Sequence, residues 1–264
     1  MDGVPFRILQ VSDIHLFGEK EKALLGVKTG ESFDAVVKML KTEPVPDFII
    51  LSGDLSQDGS KASYIRIADT LKEFAVPTYY VPGNHDNPEM LAEIYPRGTI
   101  THHQHIVLKD WHIILLNSQI PGAVEGYLDK TQLHFLQHCL EMFPEHHAIV
   151  VFHHQPVPVG CAWLDNIGLT NADELWSMLS HFPKMHTIFF GHIHQVHEGK
   201  KNGIQYFSAP STCIQFKTNS DQFALEKLAP GYRWINLYSD GHLETGVRRS
   251  AEYVGYFDED AKGY

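Results

Sequence analysis

Short apolar runs alternate with amphipathic segments over the first two thirds of the chain. The runs are rich in β-branched residues and predict buried strands at residues 6–11, 48–51, 78–81, 149–152 and 187–190. Apolar residues recur three and four positions apart between them, which predicts helices at about 31–41, 60–74, 88–95, 129–143 and 171–182. Ser60 and Asp129 are expected to cap two of these helices. This alternation is typical of α/β folds.

The last third of the chain is richer in strands. Residues 204–208, 232–238 and 242–247 predict strands without helices between them, and Asp240-Gly241 indicates a hairpin turn. Earlier in the chain, residues 106–117 predict a hairpin. The order favours an α/β fold built as a two-sheet β-sandwich flanked by helices. We expect a single domain, residues 1–264, with a β-rich part at about 204–250 and a short, solvated acidic tail at 258–264.

The composition limits the kinds of partner. The chain has 21 basic and 32 acidic residues and a net charge of −11, so we expect no sequence-independent grip on nucleic acid. No signal peptide is evident and the apolar runs are short, so we expect no membrane span. Cys139, Cys161 and Cys213 lack close pairing, which is typical of reduced thiols in a cytoplasmic protein. Nothing in the pattern indicates the oligomeric state.

Four short polar strings follow the apolar runs. They are Asp13-Ile14-His15, Gly53-Asp54, Gly83-Asn84-His85-Asp86 and Gly191-His192-Ile193-His194, and His153 follows a further run. Ligands of open α/β sheets bind beyond the carboxyl ends of the strands, and the glycines allow sharp turns and close backbone approach. Asp, His and Asn are ligands for borderline metals. The strings therefore predict a site for two metal ions.

The order of these strings resembles the calcineurin-like metallophosphoesterase superfamily. Within it, the chain is most similar to the class III bacterial cyclic nucleotide phosphodiesterases, over almost its whole length. The segments that carry this narrower resemblance are 158–165, which contains Gly160-Cys161-Ala162-Trp163, and 210–217. The resemblance implies a four-layer αββα fold. It also implies hydrolysis of 3',5'-cyclic AMP to AMP, by in-line attack of a hydroxide bound to two transition-metal ions, Fe or Mn being most expected.

The resemblance also implies a role for each residue of the strings. The first metal would be held by Asp13, His15 and His194, the second by Asn84, His153 and His192, and Asp54 would bridge them. His85 would stabilise the developing charge or protonate the departing ribose oxygen, and Asp86 would fix its tautomer. The residues expected to touch the substrate are Asn84, His85 and His194.

Several residues near the strings have two interpretations. His153 and His154 are adjacent, and since neighbouring strand residues face opposite ways, only one should reach the metals; the resemblance favours His153. His102, His103 and His105 form a cluster that we interpret as a solvated loop. Loop 156–168 either encloses the nucleoside, with Trp163 near the base, or is a packed surface loop with Trp163 in the core.

Two alternative functions stay open at this point. The enzyme could act on other small diesters, such as glycerophosphodiesters, because those enzymes share the metal strings. Alternatively, the chain could be a non-catalytic metal-binding interaction module. Metal identity and the preference among cyclic AMP, cyclic GMP and acyclic diesters do not follow from the sequence.

Overall fold

A computed structural model of the protein describes residues 4–251, together with residues 255, 257, 258, 261 and 263. In chain order, its strands are β1 (Phe6–Val11), β2 (Ala23–Leu24), β3 (Val27–Lys28), β4 (Phe48–Ser52), β5 (Thr78–Val81), β6 (Ile100–Thr101), β7 (His105–Val107), β8 (Trp111–Leu115), β9 (His147–Val151), β10 (Met185–Phe190), β11 (Glu198–Lys201), β12 (Ile204–Ser208), β13 (Gln215–Phe216), β14 (Leu225–Glu226), β15 (Gly231–Leu237) and β16 (Leu243–Arg249). Its helices are α1 (Thr29–Leu40), α2 (Lys61–Leu71), α3 (Pro88–Ile94), α4 (Lys130–Met142), α5 (Ala162–Asp165) and α6 (Ala172–Leu179).

The strands form two six-stranded sheets. The first has the order β16-β15-β1-β4-β5-β6, and the second has the order β11-β12-β10-β9-β8-β7. In the first sheet β1, β4, β5 and β6 run parallel, and in the second β8, β9, β10 and β12 do. The carboxyl ends of the parallel strands within each sheet therefore meet at one edge.

Three apolar clusters separate the layers. Trp111, Ile149 and Ile235 belong to a cluster between the two sheets. Phe33 of α1 and Tyr64 of α2 pack on the outer face of the first sheet, and other helices cover the second sheet in the same way. Both sheets are thus buried on both faces, which confirms the predicted sandwich of two sheets between layers of helices.

Local signals in the sequence placed most elements within a few residues. The Ser60 hydroxyl accepts a hydrogen bond from the Ser63 N–H, and the Asp129 carboxylate accepts one from the Gln132 N–H, as expected of helix caps. Strands β7 and β8 form the hairpin predicted at 106–117. The strands that the pattern missed are short or polar; β11, for example, has the sequence Glu-Gly-Lys-Lys and lies at a sheet edge.

The described residues near the C-terminus are only partly solvated. Asp258 is exposed, but its backbone N–H donates to the Leu25 carbonyl and the preceding Phe257 packs against the core. Glu259 and Asp260, which belong to the predicted acidic tail, lie outside the described residues. Among the helices that the structure describes, none has the length and apolar character needed to cross a membrane.

Candidate metal centre

The polar strings converge at the carboxyl edge of the two sheets. Two groups of side chains that could each hold a metal ion lie there, called the metal-binding groups below. Within each group the donor atoms lie within 4.8 Å of one another: Asp13, His15, Asp54 and His194 in the first, and His153, His154 and His192 in the second. All seven side chains are buried, with 0–5% of their surface exposed. Residues more than a hundred positions apart in sequence thus come together where the strands end.

The first group has the spacing of atoms that share one ion. The His15 Nε2 and His194 Nε2 atoms lie 3.0 Å apart, and His194 Nε2 lies 3.3 Å from Asp13 Oδ1. Ligand atoms about 2.0–2.2 Å from a common metal lie roughly 3 Å from each other. The geometry of these three side chains therefore fits a metal ion.

Asp54 belongs to the first group and also approaches the second. Its Oδ2 atom is 3.7 Å from His15 Nε2 in the first group and 3.2 Å from His153 Nε2 in the second. A carboxylate oxygen in this position can face two ions at once. The backbone places it there through a left-handed turn after β4, with φ of 97° at Gly53 and 50° at Asp54.

Hydrogen bonds fix which ring nitrogen each histidine presents to the centre. The Nδ1 atoms of His153 and His194 are bonded to the carbonyls of Ser52 and Ile214, at 2.8 and 3.0 Å. These contacts leave Nε2 as the donor atom for a metal. His192 has the opposite arrangement: its Nε2 is bonded to the Ile167 carbonyl at 3.1 Å, which leaves Nδ1 as the donor atom for a metal.

Gln57 is a residue of this site that the sequence did not single out. The His15 Nδ1 atom lies 2.6 Å from Gln57 Oε1, so the amide oxygen accepts its proton and His15 presents Nε2 to the centre. Gln57 follows the Gly53-Asp54 string by only three residues, but its role depends on a contact with a residue 42 positions earlier.

His154 occupies a different position from the one expected. Strand β9 ends at Val151, so strand alternation does not apply, and the rings of His153 and His154 lie 4.9 Å apart. The His154 Nδ1 lies 2.8 Å from the Ser118 hydroxyl and its Nε2 lies 3.1 Å from the Val124 carbonyl. Both ring nitrogens of His154 therefore have hydrogen-bond partners, and its ring packs against those of His153 and His192.

Two buried carboxylate and amide oxygens of the site have no hydrogen-bond partner among the described residues. They are Asp13 Oδ2 and Asn84 Oδ1. A buried polar atom without a partner costs about 1–3 kcal/mol, so such atoms are rare unless they have a function. Both are good metal donors, and together with the clustered histidines they fit a dinuclear centre.

The backbone at the site is strained. Five non-glycine residues adopt positive φ angles, between 48° and 66°: Asp13, His15, Asp54, His192 and His194. Such residues are uncommon and cost of order 1–3 kcal/mol each, and they cluster at functional sites. A Cβ atom on Gly83 would overlap the Asp54 carboxylate and amide nitrogen, so the glycine is needed for this close approach.

The charges at the centre depend on Asp54. Burial alone would raise the pKa of Asp54, but the neighbouring His153 and His85 outweigh it and hold the pKa well below its usual range. Burial would lower the pKa of His153, but the Asp54 carboxylate raises it to about 9. Burial lowers the pKa of His15 to about 3, so this ring is neutral at pH 7, the form that binds metals. The negative field of Asp54 favours a cation.

His85 and Asp86 lie beside the metal-binding groups. The His85 N–H donates to Asp54 Oδ1 at 2.9 Å, and its half-buried ring lies at the mouth of the site, edge-on to His15. The Asp86 carboxylate accepts hydrogen bonds at 2.9–3.2 Å from four groups: the N–H groups of Leu55, Ser56 and Gly83 and the Tyr64 hydroxyl. These contacts indicate that Asp86 joins two loops of the site. Its expected effect on the His85 tautomer stays a prediction.

Loop 156–168 contacts the site through its backbone, and its Trp163 packs against other aromatic side chains. The ring of Trp163 packs edge-on against Phe216 and Phe223, with centroids 4.9 and 5.2 Å away. This arrangement favours the packed interpretation of Trp163. The loop also provides the Ile167 carbonyl that holds His192.

The histidines at 102, 103 and 105 lie outside the metal-binding groups. His102 and His103 are exposed, as expected of a solvated loop. The expectation is wrong for His105, which lies on β7 and is bonded to the buried His112, with 3.0 Å between His105 Nε2 and His112 Nδ1. The pair belongs to the packing between the second sheet and the loop after α4.

Comparisons with known proteins identify the family of the chain. Residues 6–196 match the model of the calcineurin-like phosphoesterases. The chain is 40% identical to the 3',5'-cyclic adenosine monophosphate phosphodiesterase CpdA of Pseudomonas aeruginosa, over 97% of this chain and 94% of that protein. It is 36% identical to a 3',5'-cyclic-nucleotide phosphodiesterase of Nostoc, over 93% of each.

Solved structures with low sequence identity share the fold. A dimetal phosphatase from Danio rerio is 15% identical and superposes with a TM-score of 0.62, over 94% of this chain and all of that one. A purple acid phosphatase from yellow lupin is 13% identical with a TM-score of 0.65, over 97% of this chain and 53% of that one. Metallophosphoesterases use a dinuclear metal centre, and the clustered Asp and His side chains fit one. The chain belongs to the calcineurin-like phosphoesterase family.

Proposed function

We propose that this protein hydrolyses 3',5'-cyclic AMP to AMP at a dinuclear metal centre. The observation that supports this most strongly is the identity with relatives named as cyclic AMP phosphodiesterases, which extends over nearly the whole of both chains. The two groups of buried donor atoms at the carboxyl edge of the sheets provide the chemistry that such an activity requires.

The proposed ligand set follows the two groups. Asp13, His15 and His194 would hold one ion, and Asn84, His153 and His192 the other, with Asp54 between them. In support, the donor atoms of the first group are about 3 Å apart, and Asp54 Oδ2 approaches histidines of both groups. Asn84 Oδ1 is buried without a hydrogen-bond partner among the described residues, which supports Asn84 as a ligand of the second ion. The clustering of carboxylates and histidines alone would not assign this residue.

A bound metal pair would supply an activated water nucleophile at neutral pH and neutralise charge on the phosphate. The bond between phosphorus and the ribose 3' oxygen would break, and that oxygen would need a proton. His85 is the best placed donor, because it is half-buried at the mouth of the site and its backbone is held by Asp54. Asn84 and His194 would lie beside the phosphate.

We infer that iron, manganese or a mixed pair is the native occupant. The donor set combines carboxylate, amide oxygen and imidazole and contains no thiolate. Such donors suit iron and manganese, whereas thiolates suit softer metals. Elemental analysis of protein purified without added metal tests this, with an expected total near two ions per chain. A single equivalent, or zinc as the dominant metal, would contradict the assignment.

The substrate is tested by comparing kcat/KM for cyclic AMP, cyclic GMP and glycerophosphocholine on metal-loaded protein. We expect clear preference for cyclic AMP. The function would instead be that of a phosphodiesterase for other small diesters if glycerophosphocholine were turned over as well as cyclic AMP.

Two substitutions separate an enzyme from a metal-binding interaction module. Asn84→Ala should lower both metal occupancy and turnover, whereas His85→Ala should keep the metals and lose about 10²–10⁴-fold in turnover. His134→Ala, at an exposed position of α4, is the matched control and should change neither. Unchanged turnover in both site variants would support the module.

The cysteines support a cytoplasmic location, which we also propose. Cys139, Cys161 and Cys213 are all buried and unpaired in disulfides. Reduced thiols of this kind are typical of proteins in reducing compartments. Cell fractionation with an antibody against the protein tests the proposal, and recovery in a secreted or periplasmic fraction would contradict it.

A further inference from the structure

A cleft of about 530 Å³ opens beside Asn84 and His85. Its lining includes Gln57, Asp58 and Gln119. Its volume falls within the usual range of small-molecule sites, about 300–1,000 Å³. Since Asn84 and His85 adjoin the metal-binding groups, a diester whose phosphate lies at the centre would extend its organic part into this cleft.

The charges of the cleft limit what this organic part can be. Asp58, Asp86 and Glu89 line it, whereas no lysine or arginine does so in the part of the chain that the structure describes. A second phosphate would meet carboxylates there and would be repelled. The cleft therefore suits an electrically neutral group, such as a nucleoside, better than a polynucleotide or a nucleoside polyphosphate.

The side chains also argue against a quaternary ammonium group such as choline. Such cations are recognised by cages of aromatic rings, and among the described residues that line the cleft there is no Phe, Tyr or Trp. The walls instead present the side-chain amides of Gln57, Asn87 and Gln119. Amides of this kind pair with the edge of adenine through complementary donors and acceptors.

Existing hydrogen bonds fix the orientation of each amide. Gln119 Nε2 donates to the Asp86 carbonyl at 2.6 Å, while its Oε1 accepts no hydrogen bond from the described residues. Gln57 Oε1 accepts from His15, and Asn87 Oδ1 accepts from the N–H groups of Glu89 and Met90. Each amide therefore keeps one end for a ligand: an acceptor on Gln119, and donors on Gln57 and Asn87.

We propose that this cleft holds the nucleoside of the substrate and that Gln119 recognises the 6-position of the purine. Gln119 Oε1 accepts a hydrogen bond from the 6-amino group of adenine. Guanine and hypoxanthine carry an oxo group at this position. That oxygen and Gln119 Oε1 are both acceptors, so they form no hydrogen bond with each other and repel. This inference rests on the proposed hydrolysis of cyclic AMP.

The test compares cyclic AMP with 3',5'-cyclic IMP, in which an oxo group replaces the 6-amino group. We measure kcat/KM for both on metal-loaded wild type, Gln119→Met and the control Gln137→Met, which changes an exposed glutamine of α4. Wild type and the control should prefer cyclic AMP by about 10-fold or more, because a paired base edge discriminates at this level. Gln119→Met should reduce the preference to within about 2-fold.

The decisive measurement is the ratio of kcat/KM for cyclic AMP to kcat/KM for cyclic IMP. Gln119→Met also removes the hydrogen bond to Asp86, which lowers turnover of both substrates alike and cancels in the ratio. Hydrolysis of bis(p-nitrophenyl) phosphate, which has no base, reports whether the metal centre of each variant still works. The cyclic IMP comparison on wild type needs no variant at all.

The possible outcomes separate the two proposals. Equal use of cyclic AMP and cyclic IMP by wild type, or an unchanged ratio in Gln119→Met, overturns the role of Gln119 while the cyclic AMP activity stands. Turnover of bis(p-nitrophenyl) phosphate without turnover of cyclic AMP overturns the proposed function itself.

Discussion

The ring of Phe216 lies parallel to the imidazole of His194, with 4.1 Å between the ring centroids and 6° between the planes. The carbonyl of Ile214, two residues earlier, accepts the His194 Nδ1 proton at 3.0 Å. One short segment thus holds both the face and the edge of this histidine. Ser211 extends the support, because its hydroxyl donates to the Asp13 carbonyl at 2.8 Å.

Phe216→Leu should therefore weaken metal binding. It removes the flat surface against the His194 ring, and loss of such support around a metal ligand typically costs 10–100-fold in affinity. Isothermal titration calorimetry of the metal-free protein with Mn²⁺ measures the change in affinity. Phe207→Leu is the control, because Phe207 is also stacked, 5.5 Å from Phe189, but lies between the sheets. Equal affinities in the two variants would contradict a role for the stack.

Gly83→Ala should damage both the fold and the metal centre. The added Cβ would overlap Asp54, and relief of that overlap requires the backbone to move, at a cost of about 1–3 kcal/mol. Denaturant unfolding and metal analysis measure the two effects. Gly30→Ala in α1 is the control, because its Cβ meets first the flexible end of Arg66, at 3.0 Å. A stable Gly83→Ala protein with full metal content would show that the glycine is dispensable.

Asp86→Asn should destabilise the protein more than it alters catalysis. The amide group would replace one carboxylate oxygen with a donor that faces other donors, which costs about 1–3 kcal/mol. Urea unfolding of the variant and of Asp173→Asn, an exposed control on α6, gives the difference. If stability were unchanged while kcat fell 10-fold, the role of Asp86 would be to orient His85 and not to join the loops.

The stability of the protein should fall between pH 7 and pH 5, partly because of His112. Burial lowers the pKa of His112 to about 4, whereas in the unfolded chain it is about 6.5. As pH falls below 6.5, His112 binds a proton in the unfolded chain but stays neutral in the folded protein. This difference destabilises the fold by about 2 kcal/mol at pH 5.

Urea unfolding at pH 7 and pH 5 tests this contribution. His112→Phe removes the titrating ring and packs near Phe143, so its stability should change less with pH than that of wild type. His134→Phe, at an exposed position on α4, should keep the wild-type pH dependence. A His112→Phe variant with the wild-type slope would contradict the assignment.

The sequence by itself determined the elements and the chemical inventory. Continuous apolar runs identified the buried strands, because strands buried on both faces of a sheet carry apolar residues at successive positions. Helical spacing of apolar residues identified the amphipathic helices. The Asp, His and Asn strings were visible because each follows such a run. Short polar elements such as β11 were missed, because edge strands have little apolar surface to signal them.

Tertiary structure decided which groups support the site and how. Gln57, Ile214 and Phe216 act on histidines that are far from them in sequence or in a separate turn, so no local pattern could reveal them. The place of His154 depended on where β9 ends, and the contacts of Asp86 depended on how two loops meet. Local patterns determine which side chains are buried or polar, but hydrogen bonds between distant loops form only once the sheets have packed.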